Sequence, residues 1–224
     1  MLAMSLLASA VYALIDLLSG PVKGATVATF PQTPQLAPQL ADIVFGLAPV
    51  WLVSYLLRRD GEDRATIGIA GRPSGQAWLS GLLLFAVVGV GGLAIYRAAV
   101  AMGINRMVVP IPPAGLWWTI PVILLGALQA ALLEEVVVLG YLVTRLRQLS
   151  WSPIAAVAIA AVLRGSYHLY QGCGGFVGNV ILGLIFGYLY VRRGRLWPMV
   201  IAHFLLDAAS GLGYLALHGH VSWL

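Results

Sequence analysis

The sequence predicts an all-α fold, a polytopic membrane helix bundle with about seven transmembrane helices. Hydrophobic residues make up 60% of the 224 residues and charged residues only 9%, which is outside the usual composition of soluble globular domains. Apolar windows of about 20 residues, the length that a spanning helix needs, recur down the chain. Short segments rich in proline, glycine or charge separate these windows, as expected for the loops of such a bundle.

Seven windows give the predicted spans in chain order: 1–19, 40–57, 77–101, 116–144, 153–170, 176–191 and 196–217. We keep the first window as a span because it lacks the positively charged start of a cleaved signal peptide. The chain then divides into an N-terminal part at 1–115 with three helices and their loops, a four-helix core at 116–217, and a short tail at 218–224.

The basic residues indicate how the bundle is oriented. One side of the predicted spans collects nine arginines and the other only Lys23 and Arg106, with Arg97 near a span end; the nine are Arg58, Arg59, Arg64, Arg72, Arg145, Arg147, Arg192, Arg193 and Arg195. Cytoplasmic loops retain Lys and Arg, which predicts a cytoplasmic N-terminus. The Arg-, Ala- and Gly-rich composition favours a bacterial plasma (inner) membrane protein in contact with membrane lipids, and the short basic clusters do not indicate nucleic-acid binding.

Six ionisable residues interrupt three spans of the predicted core. They are Glu134 and Glu135 in the fourth span, Arg164 and His168 in the fifth, and His203 and Asp207 in the seventh. A charged side chain near the bilayer centre costs roughly 2.5 to 3.5 kcal/mol on insertion scales. The six are therefore expected to face one another or a wet cavity. The spacing of four within two of the pairs places each of these pairs on one helix face.

The heights of these residues agree only in part. Glu134 and His168 lie equally far along the chain from the turn around Trp151, at a height of roughly 25 Å in an antiparallel hairpin. His203 is only about 12 Å beyond Arg195. A shared site therefore requires either that the hairpin tip projects beyond the bilayer or that the last loop sits deeper.

The runs EEVVVLGYL, SYHLYQG and GLIFGYLYVRRGRLWPMVIAHFLLD carry a family resemblance. They resemble the CPBP (CAAX protease and bacteriocin-processing, or Abi) family of intramembrane proteases, which includes the type II CAAX prenyl endopeptidases. The family pattern is EExxxR, then FxxxH, then HxxxN or HxxxD. Two positions depart from it, because Leu139 stands where the Arg is expected and Arg164 where the Phe is expected. We hypothesise that Arg164 supplies, from the neighbouring helix, the cation that Leu139 lacks, and pairs with Glu135.

The resemblance implies a hydrolase that cleaves a peptide bond with a water activated by a glutamate. Proteins that resemble this family are often labelled metalloproteases. Glu134 would act as general base on a water also held by His168, and then as the acid for the leaving amine. His203 would stabilise the oxyanion, and Asp207 would either remain protonated or orient His203. Glu135 and Arg164 would form a supporting pair.

Composition and motifs also bear on cofactors. Cys173 is the only cysteine, so thiolates cannot assemble a zinc site. HExxH is absent and no two histidines share a helix face, which favours a site without metal or other cofactor; zinc or another divalent metal stays as the alternative. Tyr167 and Tyr170 are expected in the outer aromatic belt.

Two other functions compete with proteolysis. One is a non-catalytic membrane protein, either a bacteriocin-immunity factor or a degenerate family member, as the loss of the arginine at Leu139 would suggest. The other is a proton-coupled transporter, because buried carboxylates and histidines also form proton relays. No internal repeat supports the transporter. The expected partner of the leading candidate is a peptide or protein substrate in or at the membrane; neither its cleavage sequence nor the oligomeric state is predicted.

Overall fold

The computed structural model describes residues 10–15, 17–18, 22–218 and 220. Residues 10–15 and 17–18 are helical. Two short strands, β1 (Thr26–Ala28) and β2 (Met107–Val109), pair in parallel with Val27 opposite Val108. The helices are α1 (Leu36–Gly46), α2 (Ala48–Arg59), α3 (Gly75–Ala101), α4 (Thr119–Leu132), α5 (Val143–Gln148), α6 (Pro153–Ser166), α7 (Cys173–Arg193) and α8 (Trp197–Leu217). A π-helical segment, Leu133–Leu142, joins α4 to α5, and 3-10 turns occupy Arg64–Ile67 and Leu169–Gln171.

The predicted polytopic helix bundle is confirmed. In the described part of the chain, five helical segments are long and apolar enough to cross a membrane: Leu36–Arg59, Gly75–Ala101, Thr119–Gln148, Cys173–Arg193 and Trp197–Leu217. Helix α6 is apolar but has only 14 residues. The predicted span at 1–19 and the tail at 218–224 fall largely outside the described residues.

Two predicted spans differ from the structure in their detail. The span at 40–57 consists of two consecutive helices, because Pro49 near the start of α2 has no backbone N–H to continue α1. The span at 153–170 ends four residues early, at Ser166. Beyond it, Gly172 has a φ of +116°, and a Cβ there would lie 2.5 Å from the Ile104 carbonyl oxygen. Only glycine permits that turn, which redirects the chain into α7.

Close helix packing surrounds the segment Thr119–Gln148, which is the most buried of the five apolar segments. A Cβ on Gly165 of α6 would lie 2.5 Å from Val180 Cγ2 on α7, and one on Gly187 of α7 would lie equally close to Val157 Cγ1 on α6. Such small residues let helix backbones approach each other in membranes. The contact fixes α6 and α7 as an antiparallel pair beside the π-helical segment.

Loops at the arginine-rich end of the bundle contact one another and the helical core. Arg145 near the tip of the α5–α6 hairpin binds Asp60 at 3.1 Å and Glu62 at 2.9 Å, so the tip reaches a layer of charged loop residues. The last loop packs against the π-helical segment, because a Cβ on Gly140 would lie 2.9 Å from Leu196 Cδ2. His203 reaches the height of the glutamates, since its Nδ1 lies 2.8 Å from Glu135 Oε1.

Candidate active site

The adjacent glutamates lie in the π-helical segment Leu133–Leu142. A π-helix bonds residue i to i+5, so successive side chains diverge by roughly 80° instead of about 100° in an α-helix. Glu134 and Glu135 therefore point more nearly in one direction than they would in an α-helix. Sequence periodicity did not predict this segment.

Glu135 is fully buried and anchors the cluster. Its Oε1 accepts a hydrogen bond from Arg164 Nη1 at 2.7 Å and lies 2.8 Å from His203 Nδ1. The contact between Glu135 and Arg164 that the two motif departures suggested is thus present. Arg164 is itself only 3% exposed, and its guanidinium also lies over the Phe186 ring at 5.7 Å.

Arg164 also contacts the second carboxylate. Its Nη2 lies 3.2 Å from Glu134 Oε2 and 3.3 Å from His203 Nδ1. One guanidinium thus bridges two carboxylates and contacts an imidazole, using the fixed fork of donors that distinguishes arginine from lysine. Two buried negative charges next to one positive charge need this compensation, since an unpaired buried charge is strongly destabilising.

His168 faces the other oxygen of Glu134. Its Nδ1 lies 2.9 Å from the Arg164 carbonyl oxygen, so Nδ1 carries the proton and donates. Its Nε2 lies 3.8 Å from Glu134 Oε1. This distance is too long for a direct hydrogen bond but leaves the two atoms able to hold one water between them.

His203 lies between two carboxylates. Its Nδ1 contacts Glu135, and its Nε2 lies 3.4 Å from Asp207 Oδ2 one helical turn further along α8. The Asp207 side chain is 40% exposed, whereas that of His203 is only 7% exposed. Asp207 therefore lies at the rim of the cluster. All six predicted residues come together, although Asp207 contacts the others only through His203.

The arrangement does not fit a resident metal ion. Structural and catalytic zinc sites use three or four protein ligands converging at about 2.0 to 2.3 Å. Among the described residues, no group of three or more His, Cys, Asp or Glu side chains is arranged in this way. The Arg164 guanidinium occupies the position between the two glutamates, where its charge would repel a divalent cation.

The expectation for Tyr167 is wrong. Instead of lying in an outer aromatic belt, Tyr167 is 9% exposed and packs in the hydrophobic core next to the cluster. Its ring centroid is 4.9 Å from that of His168. Its place next to a motif histidine was the only sequence signal for this position.

Comparison with protein families gives one match for this region. Residues 116–209 match the family model described as type II CAAX prenyl endopeptidase Rce1-like. This stretch of the chain is similar to the Rce1-like family. The Rce1-like stretch begins where the predicted core begins and contains all six residues of the cluster, so the predicted resemblance is confirmed. No curated protein and no solved structure matches the chain.

Proposed function

We propose that this multi-pass membrane protein is an intramembrane endopeptidase that hydrolyses a peptide bond with a water activated by Glu134. The observation that carries the proposal is the pairing of Glu134 Oε1 with His168 Nε2 at 3.8 Å, with the tautomer of His168 fixed by the Arg164 carbonyl. The Rce1-like match supports a CAAX protease-like endopeptidase at the level of the family.

The proposed reaction begins with a water between Glu134 and His168. Glu134 takes one proton from the water, while the oxygen attacks the substrate carbonyl carbon. The developing oxyanion is stabilised by the positive charge of Arg164 and by an N–H of His203. Asp207 is exposed enough to turn aside and free His203 Nε2 for this role. Glu134 then returns its proton to the leaving amine, and the carbon–nitrogen bond breaks.

The remaining proposals concern the setting of the reaction. The substrate is a peptide or protein in or at the membrane, and the family name does not make a prenylated protein its substrate. Water, not a metal-bound hydroxide, is the nucleophile, because the Arg164 guanidinium already contacts both glutamates and its positive charge would repel a divalent cation there. A bacterial plasma membrane with the N-terminus in the cytoplasm fits the distribution of the arginines.

The decisive experiment compares Glu134→Gln with Glu135→Gln in detergent or proteoliposomes, using a set of membrane peptides. Glu134→Gln is expected to reduce cleavage by roughly 100-fold or more while the unfolding midpoint stays near that of the wild type. Glu135→Gln is expected to lower the midpoint, since it disturbs the buried pair. Cleavage that survives Glu134→Gln would refute the proposal. Peptide binding without cleavage would favour the immunity-type protein, and pH-driven uptake into liposomes would favour the transporter.

A further inference from the structure

Tyr167 has a buried hydroxyl group beside the cluster. The hydroxyl oxygen is shielded from solvent and has no hydrogen-bond partner among the described residues. Tyrosine hydroxyls in such positions normally find a partner. The Tyr167 ring centroid lies 4.9 Å from that of His168, and His168 Nε2 lies 3.8 Å from Glu134 Oε1, so the phenol lies next to the pair that contains Glu134.

Glu134 also has an oxygen without an aligned hydrogen-bond donor. Its Oε2 is buried and accepts no aligned hydrogen bond from the described residues, although Arg164 Nη2 lies 3.2 Å away as an ion-pair partner. A carboxylate oxygen can accept two hydrogen bonds. The Tyr167 hydroxyl can donate a hydrogen bond, and Glu134 Oε2 can accept one.

We infer that the Tyr167 hydroxyl is a positioning group for Glu134, donating a hydrogen bond to its carboxylate in the working enzyme. This inference rests on the proposed function for its kinetic meaning. With Oε2 held by Tyr167 and Arg164, Oε1 is left facing His168 Nε2 as the oxygen that receives the proton from water. Tyr167 acts through Glu134 and does not touch the reacting atoms.

The backbone around Tyr167 suits this role. Its N–H bonds the Leu163 carbonyl at 3.4 Å and the next residue's N–H bonds the Gly165 carbonyl at 3.0 Å, so the chain is still coiled where the side chain turns inward. Gly165 lies directly against Phe176 and Val180 of α7. The chain two residues before Tyr167 is therefore packed closely against α7.

The kinetic test uses Tyr167→Phe, which removes the hydroxyl and keeps the ring. Tyr170→Phe is the matched control, because the Tyr170 hydroxyl already accepts a hydrogen bond from Gln171 Nε2 at 2.9 Å. Tyr167→Phe is expected to lower kcat by roughly 10- to 100-fold with KM within about twofold, the loss expected for one hydrogen bond to a charged group. Equal rates in Tyr167→Phe and wild type would overturn the inference.

A spectroscopic test separates this inference from the proposed function. The chain has 8 Asp and Glu residues, so the infrared carboxylate band of Glu134 can be identified as the band lost in Glu134→Gln. Tyr167→Phe is expected to shift this band, while Tyr170→Phe leaves it in place. A shift in a protein that cleaves no peptide would support the hydrogen bond and refute the protease; an unshifted band would overturn the hydrogen bond whatever the activity.

Discussion

Replacing Arg164 with leucine is expected to destabilise the protein by about 3 to 5 kcal/mol. The substitution leaves Glu135, which is fully buried, without the donor that lies 2.7 Å from its Oε1. It also removes the cation 3.2 Å from Glu134 Oε2. The cost arises because a carboxylate that was neutralised inside the bundle becomes an uncompensated buried charge, and it does not measure the net value of the pair.

The assay is reversible unfolding in mixed micelles, followed by the fluorescence of the 7 tryptophans. Arg195→Leu is the matched control, since this arginine is exposed and its Nη1 donates a hydrogen bond to Gln76 Oε1 at 2.9 Å. Its loss should cost under about 1 kcal/mol. Replacing both Arg164 and Glu135 with methionine should recover much of the stability, because buried ion pairs exchanged for apolar side chains are often neutral. A cost below about 1 kcal/mol for Arg164→Leu would refute this reasoning.

The Arg164→Leu variant also tests whether Arg164 replaces the cation missing at residue 139. Leu139 is 4% exposed in the hydrophobic core, so Leu139→Arg alone is expected to destabilise the protein. Combined with Arg164→Leu, it should restore part of the stability and activity, because it returns a cation to the helix of Glu135. A combined cost equal to the sum of the two single costs would show that the positions are independent.

Two further substitutions test the surroundings of the site. Gly165→Ala should destabilise the protein by about 1 to 3 kcal/mol and reduce activity, since the new methyl group would lie 2.5 Å from Val180 Cγ2. Gly178→Ala on α7 is the control in the same unfolding assay. It should be neutral or slightly stabilising, because the nearest neighbour of the new methyl group would lie 3.9 Å away. Arg145→Ala should cost at most about 1 kcal/mol, and less at high salt, because its ion pair with Glu62 is partly exposed. A large, salt-independent loss for Arg145→Ala would contradict that interpretation.

The sequence was most informative where a span is bounded by charge or proline. The third and seventh predicted spans, at 77–101 and 196–217, agree with Gly75–Ala101 and Trp197–Leu217 to within two residues. Hydropathy reports only that a window is long and apolar, so it did not predict the break before Pro49 or the early end of α6. The turn that follows α6 includes a backbone approach between Gly172 and Ile104, which is a contact between distant parts of the chain.

The sequence predicted which residues form the candidate site but not all of the contacts between them. Intramembrane charges are costly, so six ionisable residues in three spans had to meet. The spacing of four correctly placed Asp207 beside His203. It could not show that Arg164 contacts both glutamates, or that Tyr167 turns toward them, because those contacts depend on how helices from different parts of the sequence pack.

The π-helical segment brings two adjacent glutamates to one arginine. Side chains at neighbouring positions diverge by roughly 80° there, compared with about 100° in an α-helix. In the wider turn of Leu133–Leu142, Glu135 meets Nη1 and Glu134 meets Nη2 of the same guanidinium. The supporting carboxylate and the proposed base are then fixed by one side chain, which links the stability of the buried pair to the orientation of Glu134.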